Sequence, residues 1–336
     1  MGPRASTTGR RRVGAALATV LLGALVGCGE DTTEPSAAGS SPAPPQGDPA
    51  LFDYQRQRVV LETTDSTTES TTEGPVTLRE VTYESPRGGR VTATMATSRT
   101  GGAGVAVILL HGMPLDRHDM RDPAVVYACA GATTLAVDAP YARTGSGSIK
   151  LTRRDRTEQV QLITDLRRGI DLLTQEGAQH VSLVGLSYGA AMGALLAGVD
   201  DRVGSAALLV GDGGLVAHLT DEDGEPDGPL STAPHRQADT WLEAMRPIEP
   251  VLYVGDSAAD LLFLNGRHDT LVDPTDAEAL HAAAGDGAEV RWYDTGHDLS
   301  AEAIRYQFEW VGKKSGLDAD RLDRCVDEHG HLDRMP

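Results

Sequence analysis

A serine stands in the segment whose residue types and spacing are most suggestive of chemistry, residues 185–189 with the sequence Gly-Leu-Ser-Tyr-Gly. The segment follows an apolar run, 180–184, and precedes a stretch of small residues, 190–198, so it predicts a strand, a sharp turn and a helix. Such a turn holds the serine hydroxyl beyond the end of a sheet, with a helix N-terminus behind it. The pattern therefore predicts that Ser187 is a nucleophile.

A serine hydroxyl needs a base to take its proton, and the base needs a carboxylate to orient it. In sheets of parallel strands, reactive groups gather at the carboxyl ends of the strands. Asp269 follows the strand pattern of residues 260–266, and His297 follows that of residues 288–293. The chain order Ser, Asp, His thus supplies a nucleophile, an orienting acid and a base, each directly after its own strand.

Each of these three residues also has a less specific interpretation. Ser187 could be a structural serine in a glycine-rich turn, and His297 could be a surface histidine. Asp273 could supply the carboxylate in place of Asp269, although its position before Pro274 is typical of a helix N-cap.

The elements that must position these residues follow from the hydrophobic pattern. Residues 76–83 and 90–97 alternate polar and apolar side chains around a turn, which predicts an antiparallel hairpin. From residue 104 onward, apolar runs typical of strands buried on both faces alternate with helical patterns. Helical crossovers make successive strands parallel, so we expect an α/β fold with helices on both faces of the sheet. The Thr- and Ser-rich residues 63–74 are expected to form a surface loop.

The order of the motifs resembles that of the α/β-hydrolases, above all the branch of esterases, dienelactone hydrolases and prolyl-oligopeptidase-like enzymes. The resemblance covers roughly residues 76–312, and it rests on His111-Gly112, on 185–189, on 266–269 and on Gly296-His297. Each motif is common, but four in this order, each behind its own strand, are specific. The resemblance implies a mostly parallel sheet of the eight-stranded type with an N-terminal antiparallel hairpin.

The resemblance also implies a role for each candidate residue. Ser187 would attack an acyl carbon, His297 would take up and return the proton, and Asp269 would orient the imidazole. The backbone N–H groups of Met113 and Tyr188 would form an oxyanion hole. The implied activity is that of a serine esterase, which cleaves small carboxylic esters through an acyl-enzyme without a cofactor or a metal. The alternatives are a prolyl-oligopeptidase-like peptidase, an acyltransferase, or a catalytically silent binding lipoprotein.

Residues near this site are expected to have supporting roles. His111 and Asp138 are expected to brace the loop that carries the oxyanion hole. Arg117 and Arg143 are expected to be solvated surface residues rather than ligands of a substrate carboxylate. Residues 211–245 are expected to be a lid or cap insertion, and their Asp- and Gly-rich composition favours short-chain esters over lipids.

The N-terminus has the pattern of an export signal, with four arginines ahead of an apolar run that is too short to span a bilayer comfortably. Residues 25–28 resemble the lipobox of bacterial lipoproteins, whose cysteine becomes lipidated; a simple secretory signal is the alternative. We therefore expect an exported protein, facing outside the cytoplasm and held at the membrane only through a lipid on Cys28. The expected divisions are a signal peptide at 1–27, a flexible tether at 28–50, the hydrolase domain at 51–314 and a C-terminal extension at 315–336.

The net charge limits the classes of partner that the protein can bind. The formal net charge is −19, and it becomes −23 when residues 1–27, with four arginines and no acid, are removed. Nucleic acid is thereby excluded as a partner, because phosphate binding needs a cationic surface.

Cys129 and Cys325 could pair in an oxidising compartment or remain separate thiols, since sequence gives no distance between them. The oligomeric state also stays open.

Overall fold

Nine strands build one mixed sheet within the residues that the computed structural model describes, 47–99, 104–145, 149–221 and 223–331. The predicted signal peptide, Cys28 and most of the predicted tether lie outside the described residues. The strands are β1 (Glu62–Glu69), β2 (Val76–Glu84), β3 (Arg90–Ser98), β4 (Val105–Leu110), β5 (Thr133–Val137), β6 (His180–Leu186), β7 (Val203–Leu209), β8 (Asp260–Gly266) and β9 (Glu289–Tyr293).

The order across the sheet is β1-β2-β3-β5-β4-β6-β7-β8-β9. Strands β1 to β3 are antiparallel to their neighbours, whereas β4 to β9 run parallel to one another. The predicted mostly parallel sheet with an N-terminal antiparallel hairpin is therefore confirmed. In this arrangement the carboxyl ends of β4 and β6 to β9 lie along one edge, and the candidate residues of the sequence follow those ends.

Helices cover both faces of the sheet, as predicted. The helices, in chain order, are α1 (Arg121–Cys129), α2 (Pro140–Arg143), α3 (Arg153–Gln175), α4 (Tyr188–Val199), α5 (Leu215–His218), α6 (Gly228–Ser231), α7 (His235–Met245), α8 (Pro274–Ala284), α9 (Ala301–Ser315) and α10 (Ala319–His329). One core contains buried side chains of α3, α4, α7 and α8, and the other contains those of α1, α9 and α10.

Strand β4 shows why a continuous apolar run is needed at the centre of such a sheet. All six of its residues are buried. Ile108 and Leu110 belong to one core, while Val107 and Leu109 belong to the other, because successive side chains of a strand point to opposite faces.

The prediction of a surface loop at residues 63–74 is wrong for most of that segment. Strand β1 pairs antiparallel with β2 along the sheet edge, so the sheet has nine strands rather than eight. Nearly every residue of β1 is exposed, so neither face is buried and no alternation of polar and apolar residues arises. Its four threonines favour extended structure, but that preference is weak without a buried face.

The described part of the expected C-terminal extension, residues 315–331, contains helix α10. Helix α10 packs against α1 and α9, and a disulfide joins Cys129 of α1 to Cys325 of α10. The disulfide that the sequence left open is thus formed, and it joins the C-terminal segment covalently to α1. Glu328 of α10 also accepts hydrogen bonds from Thr72 in the turn after β1.

Replacing both Cys129 and Cys325 with alanine is expected to lower the free energy of unfolding by about 2–5 kcal/mol. The bond closes a loop with a sequence separation of 196 residues, and its loss restores conformational freedom to the unfolded chain. Urea denaturation with and without a reductant measures the effect. The reductant should destabilise the wild type and leave the double variant unchanged; equal midpoints for both proteins without reductant would contradict the expectation.

Candidate active site

Ser187 occupies the turn between β6 and α4 in a backbone conformation that non-glycine residues rarely adopt, with φ 53° and ψ −118°. Its N–H donates to the carbonyl of Leu209 at the end of the neighbouring strand, at 2.8 Å. Its carbonyl accepts from Ala190 and Ala191 in the first turn of α4. The turn is therefore held from both sides, and it presents the serine beyond the sheet.

The two glycines of the turn are required by close backbone contacts. A Cβ on Gly185 would lie 2.3 Å from the carbonyl oxygen of Gly189, and one on Gly189 would lie 2.4 Å from that of Leu110. Contacts this short exclude a side chain at either position, because the opposing atoms belong to the backbone. The sequence Gly-x-Ser-x-Gly thus follows from the packing of β4, β6 and α4.

Asp269 and His297 are brought together from the ends of β8 and β9. His297 Nδ1 lies 2.8 Å from Asp269 Oδ2. The other carboxylate oxygen, Oδ1, accepts the N–H groups of Leu271 and Val272, so the carboxylate is fixed and largely buried. Asp273 instead accepts from the N–H of Thr275 and caps α8, which is the alternative role that its sequence position indicated.

Ser187 and His297 line the same cavity, which has a volume of about 450 Å³. No hydrogen bond joins these two described side chains in this structure; such bonds are often long before substrate binds. Most of the lining is apolar. The full set of lining residues is Gly112, Met113, Pro114, Leu115, Ile149, Leu186, Ser187, Tyr188, Ala191, Met192, Asp212, Leu215, His218, Leu271, Val272 and His297.

Met113 and Tyr188, the predicted oxyanion donors, both line this cavity beside Ser187. A Cβ on Gly112 would lie 3.3 Å from Ser187 Cβ, so the loop after β4 passes directly over the serine. Within the described residues, the N–H groups of Met113 and Tyr188 have no hydrogen-bond partner. Two free backbone donors therefore lie next to the serine.

His111 and Tyr141 hold the loop after β4 from beneath. His111 Nε2 accepts the N–H of Ala139 at 3.1 Å, which leaves the ring proton on Nδ1. Nδ1 lies 2.9 Å from the carbonyl oxygen of Gly112, and the Tyr141 hydroxyl donates to the same oxygen at 2.8 Å. Burial lowers the pKa of His111, so the neutral ring suits this bracing role.

Asp138 fixes the next part of the same loop. Its carboxylate accepts the backbone N–H of Arg117 at 2.9 Å, a bond from the Arg117 guanidinium, and one from the hydroxyl of Thr92. The expectation that Arg117 and Arg143 are solvated surface residues is wrong. Arg117 also binds Glu80 at 2.8 Å, and Arg143 pairs with the buried carboxylate of Asp165. A buried carboxylate is costly unless it is paired or hydrogen-bonded, and these arginines pair with Asp138 and Asp165.

Asp212 and His218 are two cavity residues that the sequence analysis missed. Asp212 follows β7, and its Oδ2 lies 3.1 Å from His218 Nδ1. The sequence position of Asp212 could have marked it as a site candidate, because it follows the end of a strand as Asp269 does. The hydrogen bond to Asp212 raises the pKa of His218.

Two further acids lie close to this pair. Glu249 is buried, and this desolvation raises its pKa to about 8 although it accepts the N–H groups of Val216 and Ala217 in α5. Burial and the charge of Asp212 raise the pKa of Asp276 to about 6. Acidic groups therefore cluster beside His218, and the raised pKa of Glu249 keeps that carboxyl largely protonated near neutral pH.

The described residues contain neither a membrane-spanning helix nor a cluster of metal ligands. No helix among them is long and apolar enough to cross a membrane. No group of three or more His, Cys, Asp or Glu side chains in the described ranges is arranged to hold a metal ion.

Comparisons with solved structures identify the fold of the chain. No family model matches the sequence, and no curated protein matches it. Among solved structures, an acetyl xylan esterase from Paenibacillus sp. R4 is 16% identical with a TM-score of 0.63, over 79% of this chain and 91% of its own. Acetyl xylan esterase 1 from Thermoanaerobacterium sp. JW/SL YS485 is 16% identical with a TM-score of 0.60, over 82% and 91%.

A third neighbour, a cold-adapted esterase from an Arctic intertidal metagenomic library, is 15% identical with a TM-score of 0.53, over 80% of this chain and 99% of its own. This chain has the α/β-hydrolase fold. The α/β-hydrolase sheet explains why the candidate residues follow β4, β6, β8 and β9: they meet at the carboxyl edge of its parallel strands. At such low identity the likeness concerns the fold, and the chemistry must be argued from the site.

Proposed function

We propose that the protein is a serine esterase with Ser187 as nucleophile, His297 as general base and Asp269 as the orienting acid. One observation carries the proposal: the strained serine turn and the histidine bonded to Asp269 line one cavity. A serine at such a turn, a nearby imidazole and a fixed carboxylate form the constellation that activates a hydroxyl.

The reaction proceeds in two halves. His297 Nε2 takes the proton of Ser187 as the hydroxyl oxygen attacks the acyl carbon, and Asp269 stabilises the imidazolium through Nδ1. The negative oxygen of the tetrahedral intermediate accepts the N–H groups of Met113 and Tyr188, each worth about 3 kcal/mol in the transition state. The alcohol leaves with the proton from His297, and water then releases the acid from the acyl-enzyme by the same steps.

Small carboxylic esters are the proposed substrates. A cavity of about 450 Å³ with a mostly apolar lining suits a small acyl group and a modest alcohol. Two of the structural neighbours are named acetyl xylan esterases, which is consistent with a short acyl chain. The proposed insertion at 211–245, which contains α5 to α7, contributes Asp212, Leu215 and His218 to the cavity lining.

A panel of p-nitrophenyl esters with acyl chains from two to sixteen carbons tests this assignment. We expect kcat/KM to be highest for chains of about two to six carbons and to fall steeply beyond them, because a cavity of about 450 Å³, lined in part by α5 and the loop after β8, has little room for a long chain. A matching set of p-nitroanilides and an assay with an acceptor alcohol distinguish a peptidase or an acyltransferase. Turnover of palmitate faster than acetate, or of anilides alone, would contradict the proposal.

We further propose that the protein is exported and anchored through a lipid on Cys28. The proposal is supported by the basic and apolar segments ahead of that residue. Replacing Cys28 with serine in the native host is expected to move the protein from the membrane fraction to the medium, because the acyl chains are lost. Unchanged membrane association of the variant would contradict lipidation.

A further inference from the structure

Five polar side chains line the active-site cavity in the described structure, and only two of them take part in the proposed reaction. These two are Ser187 and His297. Tyr188 is in edge contact with Tyr141, and burial together with the charges of Glu158 and Asp155 in α3 raises the pKa of its hydroxyl. The remaining two, Asp212 and His218, form a pair of their own that the reaction leaves unused.

The pair is rigidly held. Asp212 Oδ1 accepts the N–H of Gly214 at 3.0 Å, while its other oxygen binds His218 Nδ1. The buried Glu249 accepts two N–H groups of α5, the helix that carries His218. Leu219, directly after the helix, is buried in the core. The imidazole is therefore presented by a fixed wall of the cavity.

His218 Nε2 is the ring nitrogen that a molecule in the cavity can reach. Nδ1 is occupied by Asp212, whereas Nε2 has no partner among the described residues and the side chain is 37% exposed. When the ring is protonated, Nε2 donates a hydrogen bond; when it is neutral with its proton on Nδ1 toward Asp212, Nε2 accepts one. A hydroxyl group satisfies both states, because it donates and accepts.

A carboxylate would be a poorer partner at this position. The carboxylates of Asp212, Asp269 and Asp276 all act on His218 and raise its pKa. Three acids around one histidine give a net negative surrounding, which disfavours an anionic substrate. A neutral oxygen suffers no such repulsion.

We propose that the Asp212–His218 pair is a specificity site that binds a hydroxyl group of the ester substrate through His218 Nε2. The inference rests on the proposed esterase function and adds the substrate class: esters that carry a free hydroxyl next to the group that is cleaved. The hydroxyl belongs either to the acyl part or to the alcohol part of the ester, and the two arms of the test separate these sources.

The experiment uses two pairs of esters in which a hydroxyl replaces a methyl group. Ethyl 3-hydroxybutanoate and ethyl 3-methylbutanoate test the acyl part, while 2-hydroxypropyl acetate and 2-methylpropyl acetate test the alcohol part. For each pair, pH-stat titration gives the ratio of kcat/KM, hydroxyl over methyl. His218→Leu is expected to lower this ratio about 10-fold in one pair, through loss of a hydrogen bond in a partly buried site.

Two further variants keep the result interpretable. His218→Gln retains groups that donate and accept, so it is expected to restore part of the ratio. His268→Leu is the matched control, because His268 also pairs with an aspartate, Asp294 at 2.6 Å, but it does not line the cavity. Its ratios should equal those of the wild type.

The outcomes separate the two proposals. Equal ratios in the wild type and in His218→Leu for both pairs, with ester hydrolysis present, would overturn the hydroxyl site and leave the esterase intact. Failure of the wild type to hydrolyse any of the four esters would overturn the esterase and the hydroxyl site together.

Discussion

Replacement of Ser187 with alanine is expected to lower kcat for p-nitrophenyl acetate by about 10⁶-fold. The serine oxygen forms the acyl bond, and its loss removes the covalent route that His297 and Asp269 serve. Residual turnover should remain above the rate in water, because the N–H groups of Met113 and Tyr188 still stabilise the oxyanion. Release of p-nitrophenolate under single-turnover conditions measures the loss.

The control for this variant is Ser66→Ala, a change at an exposed serine of the edge strand β1, far from the cavity. Its activity should equal that of the wild type. Both variants should show the circular dichroism spectrum of the wild type and a free energy of unfolding in urea within about 1 kcal/mol of it, since neither change opens a large cavity. Activity of Ser187→Ala at the wild-type level would mean that the nucleophile is another residue.

Asp269→Asn is expected to lower kcat by about 10⁴-fold with little change in stability. The carboxylate accepts from His297 Nδ1, which leaves Nε2 free to take the proton of Ser187. An amide at this position can donate to Nδ1 and favours the opposite tautomer, in which Nε2 already carries the proton. The imidazole then cannot act as a base in its ground state, so kcat falls more than KM changes.

Asp273→Asn provides the matched control for the acid assignment. Asp273 caps α8 by accepting the N–H of Thr275 at 2.8 Å, and asparagine caps helices about as well as aspartate. The variant should therefore keep both its activity and its stability. A larger loss of kcat in Asp273→Asn than in Asp269→Asn would assign the carboxylate role to Asp273.

The sequence predicts the central sheet well because burial on both faces leaves a clear pattern. Apolar residues make up most of each run from β4 to β8, with a few buried polar side chains such as Ser182 and Ser205 among them, and glycine or aspartate lies in or near the turn that follows. The edge strand β1 has no such pattern, since its side chains face solvent and its place in the sheet comes from backbone pairing with β2. Whether such a segment forms a strand depends on the strand it pairs with, and the local sequence pattern carries no information about that pairing.

Proximity of the site residues was partly predictable from topology. Asp269 and His297 follow neighbouring parallel strands, so their pairing at 2.8 Å follows from the strand order. The Asp212–His218 pair and the ion pair of Arg143 with Asp165 depend on how short helices and loops fold back, and spacing along the chain does not encode that. The disulfide between α1 and α10 also needed the packing of two helices far apart in sequence.

The most direct test is covalent labelling with a fluorophosphonate, followed by peptide mass spectrometry. An activated serine reacts with this reagent, whereas an ordinary hydroxyl does not. We expect one label per folded molecule, on Ser187, and none after denaturation in urea or in a His297→Ala variant. Modification of a different serine, or an unmodified Ser187 in the folded wild type, would contradict the proposal that this hydroxyl is the nucleophile.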